Sequence, residues 1–351
     1  MLTMLHISDI HFGKPYVHEV GEAVIKAAHE MALDVIIASG DFTQRARREE
    51  FAQARDFLNR LPKLPIVVVP GNHDVPLYRV FERIFNPYRL YREYISDDLD
   101  TVHHLENAVI VALNSTSPLR AITNGRLDSR QLDFCARAFA DVPAGISRIV
   151  VTHHHLAPAP DYEGGQVMPR AKRAMDCFSE LGVEMVLGGH LHRAYIGNSL
   201  DVYPGRDRER GIIIVQSGTA TSRRGRARER EKNTLNLIRV GEDRIRITHF
   251  MYFDDLFGFA PISRHIFPRS GRHYLLDPSS PEDGIALASP VGVPDDLKPP
   301  GNRKPPVVPD DRKPPVEVRD ERRPAPPDER RPPPPGDGSF GMSAPDSPVG
   351  G

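Results

Sequence analysis

The first 250 residues alternate short apolar runs with stretches in which apolar residues recur every three or four positions. Short apolar runs are typical of buried strands, and the longer spacing, clear in "EVGEAVIKAAHEMALDV", predicts amphipathic helices. We predict strands over residues 4–8, 35–39, 66–70, 108–114, 148–153, 184–189, 211–218, 234–240 and 244–250. We predict helices over residues 18–32, 47–60, 77–94, 128–140 and 169–181. This alternation favours an α/β fold with helices outside layered sheets.

The last two predicted strands are joined by "GED", which is typical of a hairpin. The segment that follows, "HFMYFDDLFGF" (249–259), is rich in aromatic residues. We interpret it as a hydrophobic strand and loop that closes the sandwich. A lid over a binding site and a contact in a homodimer are the alternatives.

The chain changes composition near Pro278. Beyond it, pairs of charged residues alternate with Pro-Pro, and apolar residues are sparse and without period. Such a segment buries too little surface to offset the entropy of ordering it. We therefore predict a folded domain over residues 1–277 and a disordered proline-rich tail over residues 278–351. The tail is interpreted as an unstructured solvating segment; a spacer or a docking site for a proline-recognising protein is the alternative.

Composition and charge limit the expected cellular location and the expected classes of partner. The net charge of −1 gives no global field that favours nucleic acid or a membrane surface as a partner. The two cysteines, Cys135 and Cys177, lie in predicted helices without partner spacing, which indicates core residues in a reducing compartment. No apolar run approaches the roughly 20 residues of a spanning helix, and the start lacks the pattern of a secretion signal. We expect a cytoplasmic protein.

Five predicted strands end in aspartate, asparagine or histidine. In α/β sheets, ligands gather outside the carboxyl ends of strands, so we expect these side chains to converge. Glycines beside several of them allow the backbone to turn sharply. The side chains are those of Asp9, His11, Asp41, Asn72, His73, Asp74, His153, His154, His155, His190 and His192.

The donor types favour metal ions. Carboxylate, imidazole and amide oxygen ligands, without any thiolate, suit divalent manganese, iron or zinc. Seven candidate donors are too many for one centre but fit two centres that share a carboxylate. Two ions about 3.5–4 Å apart can hold both the attacking and the leaving oxygen of a displacement at phosphorus. We therefore expect two divalent ions as cofactors, with a hydroxide between them as nucleophile.

The ordered blocks "DIH" (9–11), "GDFTQR" (40–45), "GNHD" (71–74), "HHH" (153–155) and "GHLH" (189–192) resemble those of the calcineurin-like metallophosphoesterases. The resemblance covers about residues 1–250 and implies a four-layer α-β-β-α sandwich. It implies that one metal ion is bound by Asp9, His11 and His192. It implies that the other is bound by Asn72, His153 and His190, and that Asp41 bridges the two.

The same resemblance assigns roles around the metal ions. His73 is expected to hydrogen-bond the phosphate or protonate the leaving oxygen, Asp74 to orient His73, and Arg45 to form a structural ion pair. The triple histidine leaves open whether His153 or His154 is the ligand. We choose His153, because the strand should deliver its first following side chain to the site; His154 then supports the loop or contacts substrate.

The blocks also narrow the substrate. "GNHD" in place of "GNRD" argues against the branch that cleaves a lipid A precursor, and phosphoprotein phosphatases usually carry glutamate where Asp74 stands. The sequence is most similar to the bacterial cyclic-nucleotide phosphodiesterases, although "HHHLAP" departs from their frequent His-His-Pro. We expect hydrolysis of a cyclic nucleotide such as cyclic AMP, or of another small phosphodiester. A phosphomonoesterase, a nuclease, or a metal-bound regulatory or scaffold protein acting through its tail is the alternative.

A basic loop follows the last block. The segment "SGTATSRRGRARERE" (217–231) carries several arginines, and we single out Arg223 and Arg224 as candidates for contacting substrate. A solvated loop whose glutamates offset the charge is the alternative. One loop offers too narrow a basic face for extended nucleic acid.

Overall fold

A computed structural model describes residues 1–119, 123–158, 166–203, 211–226 and 229–269. The helices are α1 (His18–Glu30), α2 (Arg48–Arg60), α3 (Val80–Phe85), α4 (Arg89–Tyr94), α5 (Ser129–Phe139) and α6 (Ala171–Glu180). The strands are β1 (Leu2–Ile7), β2 (Val35–Ala38), β3 (Ile66–Val68), β4 (Thr101–Leu105), β5 (Ala108–Ala112), β6 (Ser147–Val151), β7 (Met185–Gly188), β8 (Tyr195–Asn198), β9 (Ile213–Gln216), β10 (Thr234–Val240), β11 (Arg244–Phe253) and β12 (Gly258–Pro268).

The strands form two six-stranded sheets. Sheet one has the order β12-β11-β10-β1-β2-β3, and sheet two has the order β4-β5-β6-β7-β9-β8. The strands β1, β2 and β3 run parallel, and so do β5, β6, β7 and β9. Parallel neighbours place their carboxyl ends at one edge of a sheet, which is where the predicted site residues follow their strands.

Both faces of sheet one are apolar. Consecutive residues of a strand point to opposite faces of a sheet, so neighbouring apolar residues cover both faces. In β2, Ile36 packs in a buried cluster with Val24 of α1 and Phe51 of α2. Its neighbour Ile37 packs on the other side in a cluster that includes Ile110 of sheet two. Burial on both faces explains why β2 is an uninterrupted apolar run.

The outer face of sheet two is covered by α5 and α6. Cys135 of α5 and Phe178 of α6 share a buried cluster with Val111 and Val150 of the sheet. With α1 and α2 covering sheet one, the layers are helix, sheet, sheet and helix, so the predicted α-β-β-α sandwich is confirmed. Cys135 is buried and Cys177 half-buried, and both are unpaired, as expected of core residues.

The nine predicted strands are present, and the structure adds β4, β8 and β12. These three lie at sheet edges, where half-buried or exposed residues leave no apolar run to identify them. The segment 249–259 contains the end of β11, the turn and the start of β12, which confirms a strand and a loop. The turn side chains Leu256 and Phe257 are exposed, so they do not close the sandwich. A lid and a homodimer contact stay untested predictions.

The prediction of one continuous helix over residues 77–94 is wrong. The structure has two short helices there, α3 and α4. Asn86 between them has φ −151° and ψ 64°, outside the helical region, and Pro87 follows it. A residue that precedes proline is sterically disfavoured in helical conformation, which explains the break. The other four predicted helices correspond to α1, α2, α5 and α6.

The predicted tail over residues 278–351 lies outside the described residues, so the domain boundary and a proline-recognising partner stay predictions. Within the described ranges, no helix is both long enough and apolar enough to cross a bilayer. The cytoplasmic location also stays a prediction.

Candidate metal centre

Side chains from five strand ends meet between the two sheets. Asp9 and His11 follow β1, and Asp41 follows β2. Five of the strand-end residues have an unusual backbone, with φ between 53° and 76°, in the left-handed region that non-glycine residues rarely adopt. The residues with this backbone are Asp9, His11, Asp41, His190 and His192. Such conformations persist where the surrounding structure requires them, and they concentrate at functional sites.

Two buried carboxylates lie at the centre of the site. One oxygen of each accepts a backbone N–H: Oδ2 of Asp9 from His190 at 2.9 Å, and Oδ1 of Asp41 from His73 at 2.8 Å. The other oxygen of each, Asp9 Oδ1 and Asp41 Oδ2, is buried without a hydrogen-bond donor among the described residues. A buried anionic oxygen without a donor is costly unless a cation or proton approaches it.

The first cluster comprises Asp9, His11, Asp41 and His192, whose ligand atoms lie within 4.8 Å of one another. The two Nε2 atoms of His11 and His192 are 2.9 Å apart, and His192 Nε2 is 3.1 Å from Asp9 Oδ1. His11 Nε2 is 3.7 Å from Asp41 Oδ2. Four donor atoms of this kind around one point suit a divalent ion.

The second cluster comprises Asn72, His153 and His190. Asn72 Oδ1 is 2.9 Å from His190 Nδ1 and 3.3 Å from His153 Nε2. His153 Nε2 is in turn 3.4 Å from Asp41 Oδ2, the oxygen that also faces the first cluster. Asp41 Oδ2 therefore lies between the two clusters, as a bridging ligand requires.

The far side of three imidazoles is fixed by backbone carbonyls. The Nδ1 atoms of His11, His153 and His192 lie 3.3, 2.8 and 3.0 Å from the carbonyl oxygens of Thr43, Ser39 and Arg224, respectively. Because a carbonyl only accepts, each Nδ1 carries a proton, and each Nε2 is left as the ring atom that faces the cluster. This arrangement is the usual support for metal-binding histidines.

Protonation in the site also favours cation binding. Burial would raise the pKa of Asp9, but the neighbouring His192 and His11 hold it well below its ordinary value. Burial lowers the pKa of His11 to about 4, so this ring is neutral at pH 7. Burial opposes a charge on His153, yet the negative Asp41 raises the pKa of His153 to about 9. The carboxylates thus attract positive charge to the space between the rings, and metal ions compete with protons for it.

Two glycines allow the loops after β2 and β3 to approach each other. A Cβ atom on Gly71 would lie 2.1 Å from Asp41 Oδ1. A Cβ atom on Gly40 would lie 2.7 Å from His153 Nδ1, and Gly40 has φ +95°. Any side chain at these positions would displace a candidate ligand.

The structure distinguishes the members of the triple histidine. His153 reaches Asp41 and Asn72, whereas His154 is fully buried and hydrogen-bonds Ser115 Oγ through Nδ1 at 2.8 Å. His154 supports the loop and is not among the described residues that line the cleft, so its expected contact with substrate is not found. Its ligand atom lies within 4.8 Å of those of His153 and His190, so His154 stays a candidate metal ligand beside His153. His155 lines the cleft instead, with its ring stacked on that of His190.

His73 and Asp74 do not form the expected pair. The Nδ1–H of His73 donates to the carbonyl of Gln44 at 2.8 Å. The Asp74 carboxylate accepts the backbone N–H groups of Phe42, Thr43 and Gly71 and the hydroxyl of Thr43. The orienting and catalytic role expected for Asp74 is therefore wrong, because this carboxylate holds the loop that carries Asp41.

Two arginines of the basic loop, Arg224 and Arg226, line the cleft. Arg224 Nη1 lies 3.2 Å from His73 Nε2 and donates to Gln44 Oε1 at 2.9 Å. Arg223 is exposed and does not line the cleft, so its expected contact with substrate is not found. The expected ion pair of Arg45 is not found among the described residues; its guanidinium lies over the ring of Tyr78, 5.1 Å from the centroid.

Gln44 was missed by the sequence reasoning. Its carbonyl fixes the ring of His73, and its amide oxygen fixes Arg224. It lies inside "GDFTQR", three residues after Asp41, so its place in the block was the available signal.

A cleft of about 410 Å³ opens over both clusters. Its lining combines apolar side chains with three arginines. Its lining residues in the described ranges are Asp41, Gln44, Arg45, Asn72, His73, Leu77, Tyr78, Thr123, Asn124, His155, Gln166, His190, Leu191, His192, Arg224 and Arg226.

The fold is similar to those of solved phosphatases. Purple acid phosphatase PPD1 from yellow lupin (Lupinus luteus) seeds aligns with a TM-score of 0.59 and 12% identity, over 76% of this chain and 54% of that chain. PhoD aligns with a TM-score of 0.52 and 14% identity, over 75% of this chain and 71% of that chain. The present chain thus spans about half of the lupin phosphatase. At such identities the likeness concerns the fold.

Comparison with curated proteins found no significant match to the sequence. The sequence model of calcineurin-like phosphoesterases matches residues 2–194, more than half of the 351-residue chain. The matched range contains both clusters and the glycines that shape them. The chain belongs to the calcineurin-like phosphoesterase family.

Proposed function

We propose that the protein is a phosphoric ester hydrolase that uses two divalent metal ions and cleaves a small phosphodiester, such as a cyclic nucleotide. The observation that carries this proposal is the position of Asp41 Oδ2, within 3.7 Å of His11 Nε2 and 3.4 Å of His153 Nε2. A shared carboxylate between two donor clusters is the arrangement that paired ions require. The nitrogen and oxygen donors suit manganese, iron or zinc.

When bound, the two ions supply positive charge that holds the phosphate oxygens and activates water as the nucleophile. The chain supplies the geometry of that site. Asp9 and Asp41 each keep one oxygen fixed by a backbone N–H, so the other oxygen stays aimed into the site. Prior fixing of the ligands reduces the reorganisation needed during the reaction.

His73 and Arg224 form the polar wall of the cleft beside the clusters. Because His73 Nδ1 is held by the carbonyl of Gln44, its Nε2 is the atom that faces a substrate. The Arg224 N–H group that now lies next to Nε2 is available to a phosphate oxygen. His73 Nε2, when protonated, hydrogen-bonds the phosphate or delivers a proton to the leaving oxygen.

Two observations support a small diester. The cleft, at about 410 Å³, is of the size that encloses a small molecule. The sequence blocks resemble those of the cyclic-nucleotide branch of the family. The cleft volume and the sequence blocks do not concern the metal clusters. The preference for a diester is therefore tested separately from the hydrolase proposal.

The test is turnover of a substrate panel by the full chain loaded with manganese, iron or zinc. The panel contains bis(4-nitrophenyl) phosphate, 4-nitrophenyl phosphate, cyclic AMP and cyclic GMP. We expect turnover of the diesters well above that of the monoester. Preference for the monoester would establish a phosphomonoesterase instead, and absence of any turnover with both ions bound would contradict the hydrolase proposal.

A further inference from the structure

A second feature lies at the rim of the cleft. The segment that includes α3 exposes an apolar surface, here called the α3 patch, made of Leu77, Tyr78, Val80, Phe81, Ile84 and Phe85. Phe81 and Phe85 are 81% and 79% exposed. No residue of α3 is buried. Large apolar side chains that cluster at the surface in this way mark a site of interaction.

The helix is attached to the domain by polar bonds rather than by apolar packing. Arg79 donates to the carbonyl of Ala46 at 2.7 Å, and Arg83 donates to the carbonyl of Leu77 at 2.7 Å. The Arg79 bond ties the start of α3 to the loop that follows Asp41, whereas the Arg83 bond stays within the segment that carries the α3 patch. The apolar side chains of α3 are therefore left facing outward, the reverse of an ordinary surface helix.

The α3 patch is continuous with the cleft. Leu77 and Tyr78 belong to both, and Arg45, whose guanidinium covers the Tyr78 ring, also lines the cleft. A molecule whose phosphate lies at the metal clusters would thus meet the α3 patch directly outside the cleft.

Charge and size identify the occupant. Residues 77–93 contain four arginines and two glutamates, 4 − 2 = +2, whereas the whole chain has a net charge of −1. An apolar face with arginines around it is the signature of a helix that lies in the surface of an anionic lipid layer. A second copy of the chain would need about 20–30 residues per partner for a stable interface, many more than the six of the patch.

We propose that the α3 patch docks the cleft onto an anionic lipid surface, so that the protein acts on phosphoesters presented there. Phe81 and Phe85 enter the acyl layer. Arg79 and Arg89 pair with Glu82, so Arg83 and Arg92 are the arginines of residues 77–93 that lie at the headgroups. This inference rests on the proposed hydrolase function. The net charge of the whole chain led to the expectation of no membrane partner. The docking proposal departs from that expectation for the α3 patch alone.

The first test is sedimentation of the full metal-loaded chain with vesicles of equal amounts of phosphatidylcholine and phosphatidylglycerol. The variant Phe81→Ser/Phe85→Ser should bind at least about tenfold more weakly, because each exposed phenyl group loses its transfer into the lipid. The control is Leu256→Ser/Phe257→Ser at the β11–β12 turn, where both side chains are also exposed. It should bind like the unaltered chain.

The second test is turnover of soluble bis(4-nitrophenyl) phosphate. In both variants it should stay within about twofold of the unaltered chain, since none of the substituted residues lines the cleft. No vesicle binding by the unaltered chain, or equal binding by all three proteins, would overturn the docking proposal. A dimer in sedimentation velocity that Phe81→Ser/Phe85→Ser dissociates would assign the patch to a second copy and overturn it as well. Patch-dependent vesicle binding without turnover of any soluble or vesicle-borne phosphoester would uphold docking and contradict the hydrolase proposal alone.

Discussion

At the scale of single residues, the site depends on side chains that are fixed at both ends. Residue type and spacing made the candidate ligands visible in the sequence, because histidine and aspartate after strand ends are easily identified. Their left-handed backbone and the carbonyls behind the rings were not visible. His192, for example, is oriented by the carbonyl of Arg224, 32 residues further along the chain, and only the folded loop brings the two together.

His73→Ala should lower kcat for a phosphodiester by about 100-fold or more, because the variant loses the group that interacts with the phosphate or the leaving oxygen. Its content of bound metal, measured by elemental analysis, should stay unchanged, since His73 belongs to neither cluster. Asn72→Ala should instead lose metal together with activity. Full activity in either variant would contradict the proposed mechanism.

Arg224→Ala should raise KM for a phosphodiester by about 10- to 100-fold, the usual effect of losing a charged hydrogen bond. Gln44→Ala should produce a smaller increase, because Arg224 then loses the amide oxygen that positions it. The double variant should resemble Arg224→Ala alone. Arg223→Ala is the matched control and should behave as the unaltered chain; a similar loss there would assign the effect to the net charge of the loop.

At the scale of helices and strands, the sequence predicted the elements that have a regular apolar pattern. The buried central strands and the four longer helices were predicted because burial imposes their periods. The edge strands β4, β8 and β12 were missed, since an edge strand with exposed residues has no such period. The α3 patch was missed for a related reason: its apolar spacing indicates a packed helix, and the sequence does not reveal that the apolar side faces outward.

The contact between the loops after β2 and β3 depends on Gly71. Gly71 has φ −102°, which alanine also adopts, so the effect of Gly71→Ala should be steric alone. The added methyl group would displace the Asp41 carboxylate, and we expect loss of bound metal and of activity. Gly258→Ala is the control, because a Cβ atom there meets its nearest neighbour at an ordinary 3.5 Å. Retention of both ions by Gly71→Ala would contradict the assigned role of Asp41.

Asp74 should act on stability. Asp74→Ala leaves three buried N–H groups and a hydroxyl of the β2 and β3 loops without their acceptor. We expect the free energy of unfolding to fall by about 3 kcal/mol in urea denaturation. The opposite result, normal stability with an altered pH profile of kcat, would restore Asp74 as the residue that orients His73.

At the scale of the whole molecule, the two sheets contribute to both clusters. The first cluster takes Asp9, His11 and Asp41 from sheet one and His192 from sheet two. The second cluster takes Asn72 from sheet one and its two histidines from sheet two. The sequence predicted which strand ends carry donors. Only the structure shows that the two sheets face each other and so bring these donors into one site.

The most direct test of the account is a crystal of the full chain grown with manganese or zinc, with anomalous scattering and elemental analysis of the same preparation. The account predicts two ions per chain, about 3.5–4 Å apart, one in each cluster, with Asp41 Oδ2 bound to both. A site without ions after ample supplementation, or a single ion that does not contact Asp41, would contradict it.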